Sequence, residues 1–273
     1  MIPSANKKIH RETLAIFIDK LQTMGRYTFS RSEAMAQLQY SDAAFKHAAR
    51  RLIIKQRIVA PRRGFFVIVP VEYRRSEAPP PSWFIDDLMR FQKKTYYVGL
   101  LSAAAIYGAA HQKSQEFQVI TNTALRPVVA GKVLIRFFKK KALSDTRTQL
   151  VKTETGNMIV SSPEATAFDL VRYVEHVGHF GNVVTVLREL RERLDARRLL
   201  QVAKTGTELT CVQRLGYLLE YFVDDAKLFT PLAEWLRTQN PTLILLRPER
   251  DDVGRKDERW KIVVNDEIST DDL

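Results

Sequence analysis

The sequence predicts an α+β fold, and three observations lead there. Three short amphipathic segments precede a pair of β-prone segments within the first 70 residues. A proline run, Glu77-Ala-Pro-Pro-Pro-Ser82, then interrupts the pattern. Beyond it, β-prone segments come early, helical segments come late, and two β-prone segments return near the end. That grouping belongs to α+β rather than to alternating α/β architecture.

The first amphipathic segment, residues 11–24, sets Leu14, Ala15, Phe17, Ile18, Leu21 and Met24 at helical spacing. Tyr27-Thr28-Phe29 is a short extended link. Ser30-Arg31-Ser32-Glu33 fits a capping box, the hydroxyl taking one orphan amide and the carboxylate reaching back to another. The helix it opens is short and carries Ala34, Met35 and Leu38. Ser41 caps a third helix. At about 100° per residue, Phe45, Ala48, Ala49, Leu52 and Ile53 fall on one side of it. Opposite lie Lys46, His47, Arg50 and Arg51, with Ala43 at the leading edge. Two β-prone segments follow, Arg57–Ala60 and Phe65–Val69, joined by Pro61-Arg62-Arg63-Gly64 as a tight loop.

Three helices and then a hairpin is the order of a winged helix-turn-helix. In that reading the third helix is the recognition helix, and Arg62 and Arg63 tip the wing. Cations stacked one turn apart repel by a few tenths of about 1 kcal/mol, and phosphates would relieve the repulsion. Lys46, His47, Arg50, Arg51, Arg62 and Arg63 are therefore the candidate contacts to double-stranded DNA, with His47 the weakest and Ala43 a candidate for a thymine methyl.

The charge distribution agrees. The chain has 273 residues and a net charge of +12. Residues 1–80 hold 15 Lys+Arg against 6 Asp+Glu, giving +9, whereas the rest hold 28 against 25, giving +3. A concentrated excess of this kind points to one basic module. Cys211 is the single cysteine, which excludes a disulfide framework and a cysteine-based zinc site and implies a reducing, cytoplasmic setting. No run of about 18 apolar residues is present, and the first residues lack a signal-like apolar stretch.

The expected organisation is a DNA-binding domain over residues 1–76, a stiff linker over 77–82 and a larger domain over 83–273. In the larger domain the pattern predicts helices over Trp83–Lys94, Val98–Tyr107, Val183–Leu194, Ala196–Ala203, Val212–Val223 and Pro231–Arg237. A further helix starts at Ser162-Pro163-Glu164. Strands are predicted over Phe117–Thr121, Lys132–Phe138, Leu150–Lys152, Met158–Val160, Thr242–Leu246 and Trp260–Val264.

Four strings in this domain carry a resemblance. YYVGLLSAAAIYGAAHQ (Tyr96–Gln112) followed by QEFQVIT, SSPEATAFDLVRY (Ser161–Tyr173), FGNVVTVLREL (Phe180–Leu190) and VQRLGYLLE (Val212–Glu220) resemble, in order and spacing, the AbiEi family of type IV toxin–antitoxin antitoxins. The resemblance implies an autorepressor whose N-terminal domain binds repeats in its own promoter. It also implies a C-terminal domain that neutralises a nucleotidyltransferase-like toxin encoded beside it, in systems linked to phage abortive infection. Residues after about 247 match nothing in that pattern.

No chemistry is evident from the residues. Glu175-His176-Val-Gly-His179 is too sparse for a metal site, and His111 fits a helix-end histidine. Asp251, Asp252, Asp257, Glu258 and Lys261 have the wrong spacing for a nuclease acidic-x-Lys set. Glu164 and Asp169 do not form an acid/base pair, and Cys211 belongs to an apolar helix face. Lys139-Lys140-Lys141 and the arginines at 188, 191, 193, 197 and 198 read as solvated faces or as a partner surface. Arg214, among apolar residues, is expected to anchor a buried ion pair. No catalytic residue, cofactor or metal is assigned. Two other readings stay open: a ligand-responsive winged-helix transcriptional regulator with a cavity near Ala103–His111, and a DNA-targeted nuclease.

Overall fold

Residues 12–109, 116–251 and 253–269 are described in the computed structural model. Helix α1, Leu14–Thr23, starts where the Thr13 hydroxyl accepts the Ile16 amide, and it buries Leu14, Phe17, Ile18 and Leu21. Met24, expected on the same face, lies past the helix end and is exposed. Strand β1 is Thr28–Ser30. The predicted capping box opens α2, Arg31–Leu38, with Glu33 N donating to Ser30 Oγ at 3.0 Å and Ser30 N donating to Glu33 Oε2 at 3.4 Å. Then come α3, Asp42–Ile54, and the strands β2, Ile58–Arg62, and β3, Phe65–Ile68. These strands form an antiparallel sheet in the order β1-β3-β2. An aromatic chain fills the space between helices and sheet: Phe17 meets Phe29 edge-on at 5.6 Å, Phe29 stacks on Phe66 at 5.1 Å, and Phe45 meets Phe66 at 5.5 Å. Helix α4 is Ile85–Phe91.

The chain continues through β4 (Tyr96–Val98), α5 (Leu100–Ile106), β5 (Glu116–Thr121), β6 (Val128–Ala130), β7 (Val133–Lys139), β8 (Thr148–Thr153) and β9 (Gly156–Ser161). Five helices follow: α6 (Pro163–Arg172), α7 (His179–Leu190), α8 (Ala196–Lys204), α9 (Leu209–Leu218) and α10 (Ala226–Thr238). A π-helical turn, Leu219–Val223, extends α9. The last strands are β10 (Ile244–Leu245), β11 (Arg255–Asp257) and β12 (Ile262–Val264). The predicted α+β class holds. Strands β4, β6 and β11 were not anticipated. Helix α10 starts at Ala226, where Asp225 caps it, and carries Pro231 inside rather than at its start.

The chain folds as two compact units. The first holds residues up to Lys94 together with Pro127–Ile135 and Lys152–Asn157, and the second holds the remainder. The proline run, expected as a free linker, is packed within the first unit. Ala78 is 1% exposed, Ser76 Oγ donates to Ala78 O at 2.9 Å, and the Trp83 ring lies 4.8 Å from Tyr27 and 5.2 Å from Tyr73. Polyproline stiffness makes a good spacer in isolation, but aromatic faces on both sides give it a surface to bury. Gly131, at φ +56°, approaches the same stretch so closely that a Cβ would sit 2.6 Å from Ser76 O.

In the second unit α6 is central, with α5, α7, α8 and α9 packed on it. The Ser162 hydroxyl accepts the Ala165 amide to start it, and its residues from Glu164 to Val171 are all buried. A mixed sheet lies alongside, with β4 antiparallel to β5 and parallel to β9. The glycine in VQRLGYLLE has a steric cause. A Cβ on Gly216 would lie 1.9 Å from the ring of Trp260, which is fully buried and donates from Nε1 to Glu220 at 2.6 Å.

Candidate nucleic-acid interface

Helix α3 begins at Ser41, whose hydroxyl accepts the Ala44 amide at 3.3 Å. Its inner face is Phe45, Ala48, Ala49 and Leu52, all in the core of the first unit. Ile53, expected there, is 42% exposed. The outer face carries Lys46, His47, Arg50 and Arg51, all exposed. Four of the six residues proposed from sequence thus share one exposed helix face. Residues four apart stand about 6 Å apart along the axis. Among the described residues, Arg50 and Arg51 have no carboxylate within ion-pair reach.

The hairpin differs from expectation at its tip. Strand β2 runs through Pro61 and Arg62, with a register irregularity between Val59 and Arg62, so that Arg62 pairs with Phe65. The turn itself is Arg63-Gly64. Gly64 takes φ +84°, which an L side chain rarely adopts. Its carbonyl accepts the Arg31 amide at 2.8 Å, which ties the turn to the start of α2. Arg63 is exposed. Arg62 is half-buried, and its guanidinium donates to the Pro127 carbonyl at 3.3 Å. The structure therefore brings Arg63 to the tip and engages Arg62 within its own unit.

One acidic residue on this face escaped the sequence reading. Asp42, in the first turn of α3, meets Lys46 Nζ through Oδ2 at 2.8 Å and the Arg31 guanidinium through Oδ1. Arg31 also lies over the Phe45 ring, 5.9 Å from its centroid. The signal was present as an Asp-to-Lys spacing of four, but the second partner, on another helix, was not.

The basic and acidic residues of the second unit are used differently. Lys140, in the middle of its lysine run, donates to Asp169 Oδ1 at 2.8 Å and to the Tyr97 hydroxyl at 3.2 Å. Tyr97 in turn donates to Asp169 Oδ2 at 2.8 Å, and Asp169 is fully buried. Burial first, and then the Asp169 charge, push the Tyr97 hydroxyl up from its usual value. Among the described residues, Arg214 has no ion pair. It donates to the Leu246 and Leu245 carbonyls at 3.0 and 3.1 Å, so the expectation of a buried salt bridge is corrected to a carbonyl clamp. Burial lowers its pKa. Arg188 donates to the Phe222 carbonyl at 2.9 Å, while Arg193, Arg197 and Arg198 are exposed.

The remaining chemical candidates have structural employment. His179 faces Glu175 at 3.3 Å, and the His176 ring lies 5.2 Å from Phe138. Asp257 accepts from the Tyr221 hydroxyl at 2.6 Å and the Trp260 amide at 2.9 Å. Cys211 is buried, and burial raises its pKa. Ala103 and Ala104 are fully buried; His111 and Asp252 lie outside the described residues. Among the described residues, no group of three or more His, Cys, Asp or Glu is placed to hold a metal ion. No helix there is long and apolar enough to cross a membrane.

Residues 97–221, which contain most of the four resembling strings, match the family model described as the AbiEi antitoxin C-terminal domain. The chain thus carries an AbiEi antitoxin C-terminal domain. The domain places it on the antitoxin side of a toxin–antitoxin or abortive-infection system. The fold is also similar to the solved structure of the RV2827C protein from Mycobacterium tuberculosis, with a TM-score of 0.65 and 15% identity over 92% of each chain. At that identity the likeness concerns the fold alone. No curated protein matches the chain.

Proposed function

We propose that this chain is a DNA-binding antitoxin that acts by binding rather than by catalysis. The first unit is a winged helix-turn-helix that holds the chain's own promoter, as autorepressor. The second unit neutralises a nucleotidyltransferase-like toxin in the cytoplasm. The observation that carries the DNA-binding half is the outer face of α3, where Lys46, His47, Arg50 and Arg51 stand exposed with Arg50 and Arg51 unpaired among the described residues. Arg63 at the hairpin turn adds a cation where a wing meets the flanking backbone. Unpaired cations at this spacing repel one another, and backbone phosphates relieve that repulsion with release of their condensed counterions. The antitoxin half is supported by the AbiEi domain.

The test is a double replacement, Arg50→Ala with Arg51→Ala, in the full chain. Promoter affinity is expected to fall, and the slope of log affinity against log salt to flatten by about two, one for each lost phosphate contact. Protection of cells against the toxin is expected to persist where it does not need repression. Unchanged affinity at moderate salt would remove α3 from the interface.

A further inference from the structure

We infer that Asp42 is a specificity-determining residue of the α3 surface: it lowers attachment to arbitrary duplex more than attachment to the true site. This rests on the DNA-binding reading above. Among Asp42, Lys46, His47, Arg50 and Arg51, Asp42 is the one anion, half exposed and one helical turn before Lys46. Each of its carboxylate oxygens is committed to a different cation, Oδ1 to Arg31 on α2 and Oδ2 to Lys46 on α3. Arg31 is itself fixed, with its amide on the Gly64 carbonyl and its guanidinium over the Phe45 ring. Asp42 is thus held in place by both helices and by the hairpin turn. Lys46, 70% exposed at its side chain, is held toward it.

Two consequences follow from elementary electrostatics. A fixed carboxylate beside Lys46 cancels part of the field that would draw any phosphate, and it does so whatever the base sequence. Binding then recovers that cost only on a duplex that presents a hydrogen-bond donor to the carboxylate. In the major groove the donors are the exocyclic amino groups, and an aspartate accepts from cytosine N4. The N-terminal residues of a recognition helix are the ones that approach base edges, and Asp42 is the first residue of α3. Asp42 would therefore trade general affinity for discrimination.

The experiment uses the full chain and the variant Asp42→Asn, which keeps size, removes the charge and replaces one acceptor oxygen with an amide donor. One probe is a duplex enriched by the wild-type protein from a random-sequence pool; the other is a shuffled duplex of the same composition. Asp42→Asn is expected to bind the shuffled duplex several-fold more tightly, with a salt slope steeper by about one unit. The preference for the enriched duplex should narrow by a similar factor. A merely structural lesion moves the other way, weakening both probes together. An unchanged preference, or equal weakening of both duplexes, overturns the inference while leaving the DNA-binding reading intact. Failure of the wild-type chain to enrich any sequence, or to show salt-dependent attachment, removes the reading and the inference with it.

Discussion

On α3, Arg50 and Arg51 stand in solvent with no carboxylate in reach among the described residues. In the second unit, Lys140 is turned onto a buried carboxylate, Arg172 reaches Glu208 at 2.7 Å, and Arg214 closes on two backbone carbonyls. The same residue types have opposite uses. For these three cations of the second unit the side chain is engaged by the fold itself. In the first unit a surplus is left on one helix face, and that surplus is available to a partner. Net charge alone would not separate the two; the partners of each cation do.

If that contrast is right, removing an internal partner should damage stability most. Asp169→Ala strips the partly buried Lys140 and the buried Tyr97 of their shared acceptor. Leaving one charge of a buried pair uncompensated costs about 3–5 kcal/mol. Denaturant unfolding of the full chain should show a loss of that order, whereas Arg50→Ala should change stability by less than about 0.5 kcal/mol. Comparable losses from both replacements would erase the distinction between internal and external cations.

The sequence showed the external cations more clearly than the internal ones, for a physical reason. Helix caps and faces are local. Ser30 with Glu33, Ser41 and Ser162 were readable because each serves an amide three residues on, and the α3 face follows from spacing alone. What was missed involves partners far along the chain. Lys140 looks like its neighbours until Asp169 is beside it, and Arg62 looks free until the Pro127 carbonyl arrives from the β6 hairpin. The proline run read as a linker because nothing nearby in sequence announces that Tyr27 and Trp83 will meet beside it. Arg214 was recognised as internal, but an arginine satisfied by carbonyls leaves no complementary acid to find.

Arg214 gives the next largest effect. Arg214→Met keeps much of the side-chain volume and leaves the Leu245 and Leu246 carbonyls without their charged donor. The expected cost is about 1–3 kcal/mol, the penalty for orphaning buried acceptors. Hydrogen exchange should locate it, with faster exchange at Ile244 and Leu246, whose amides bond to Lys261 and Val263. Uniform acceleration across α6 instead would mean that the clamp supports the whole unit rather than the small C-terminal sheet.

The smallest expected effect belongs to a cation that lies between the two classes. Arg136 makes two hydrogen bonds to Glu116, at 2.6 and 2.5 Å, on a partly exposed strand surface. Those bonds hold the Glu116 carboxyl below its ordinary value of 4.5. A depressed carboxylate pKa gives stability that is present above the ordinary value and lost as pH falls through the folded one. Solvent screens the pair, so the contribution at neutral pH is about 0.5 kcal/mol. Glu116→Gln should therefore be slightly less stable than the wild type at neutral pH, with the gap closing well below 4.5. Urea midpoints at both pH values measure this directly. A gap that persists unchanged in acid would show that Glu116 matters through its packing in β5 and not through its charge, and would move Arg136 to the side of the unpaired surface cations.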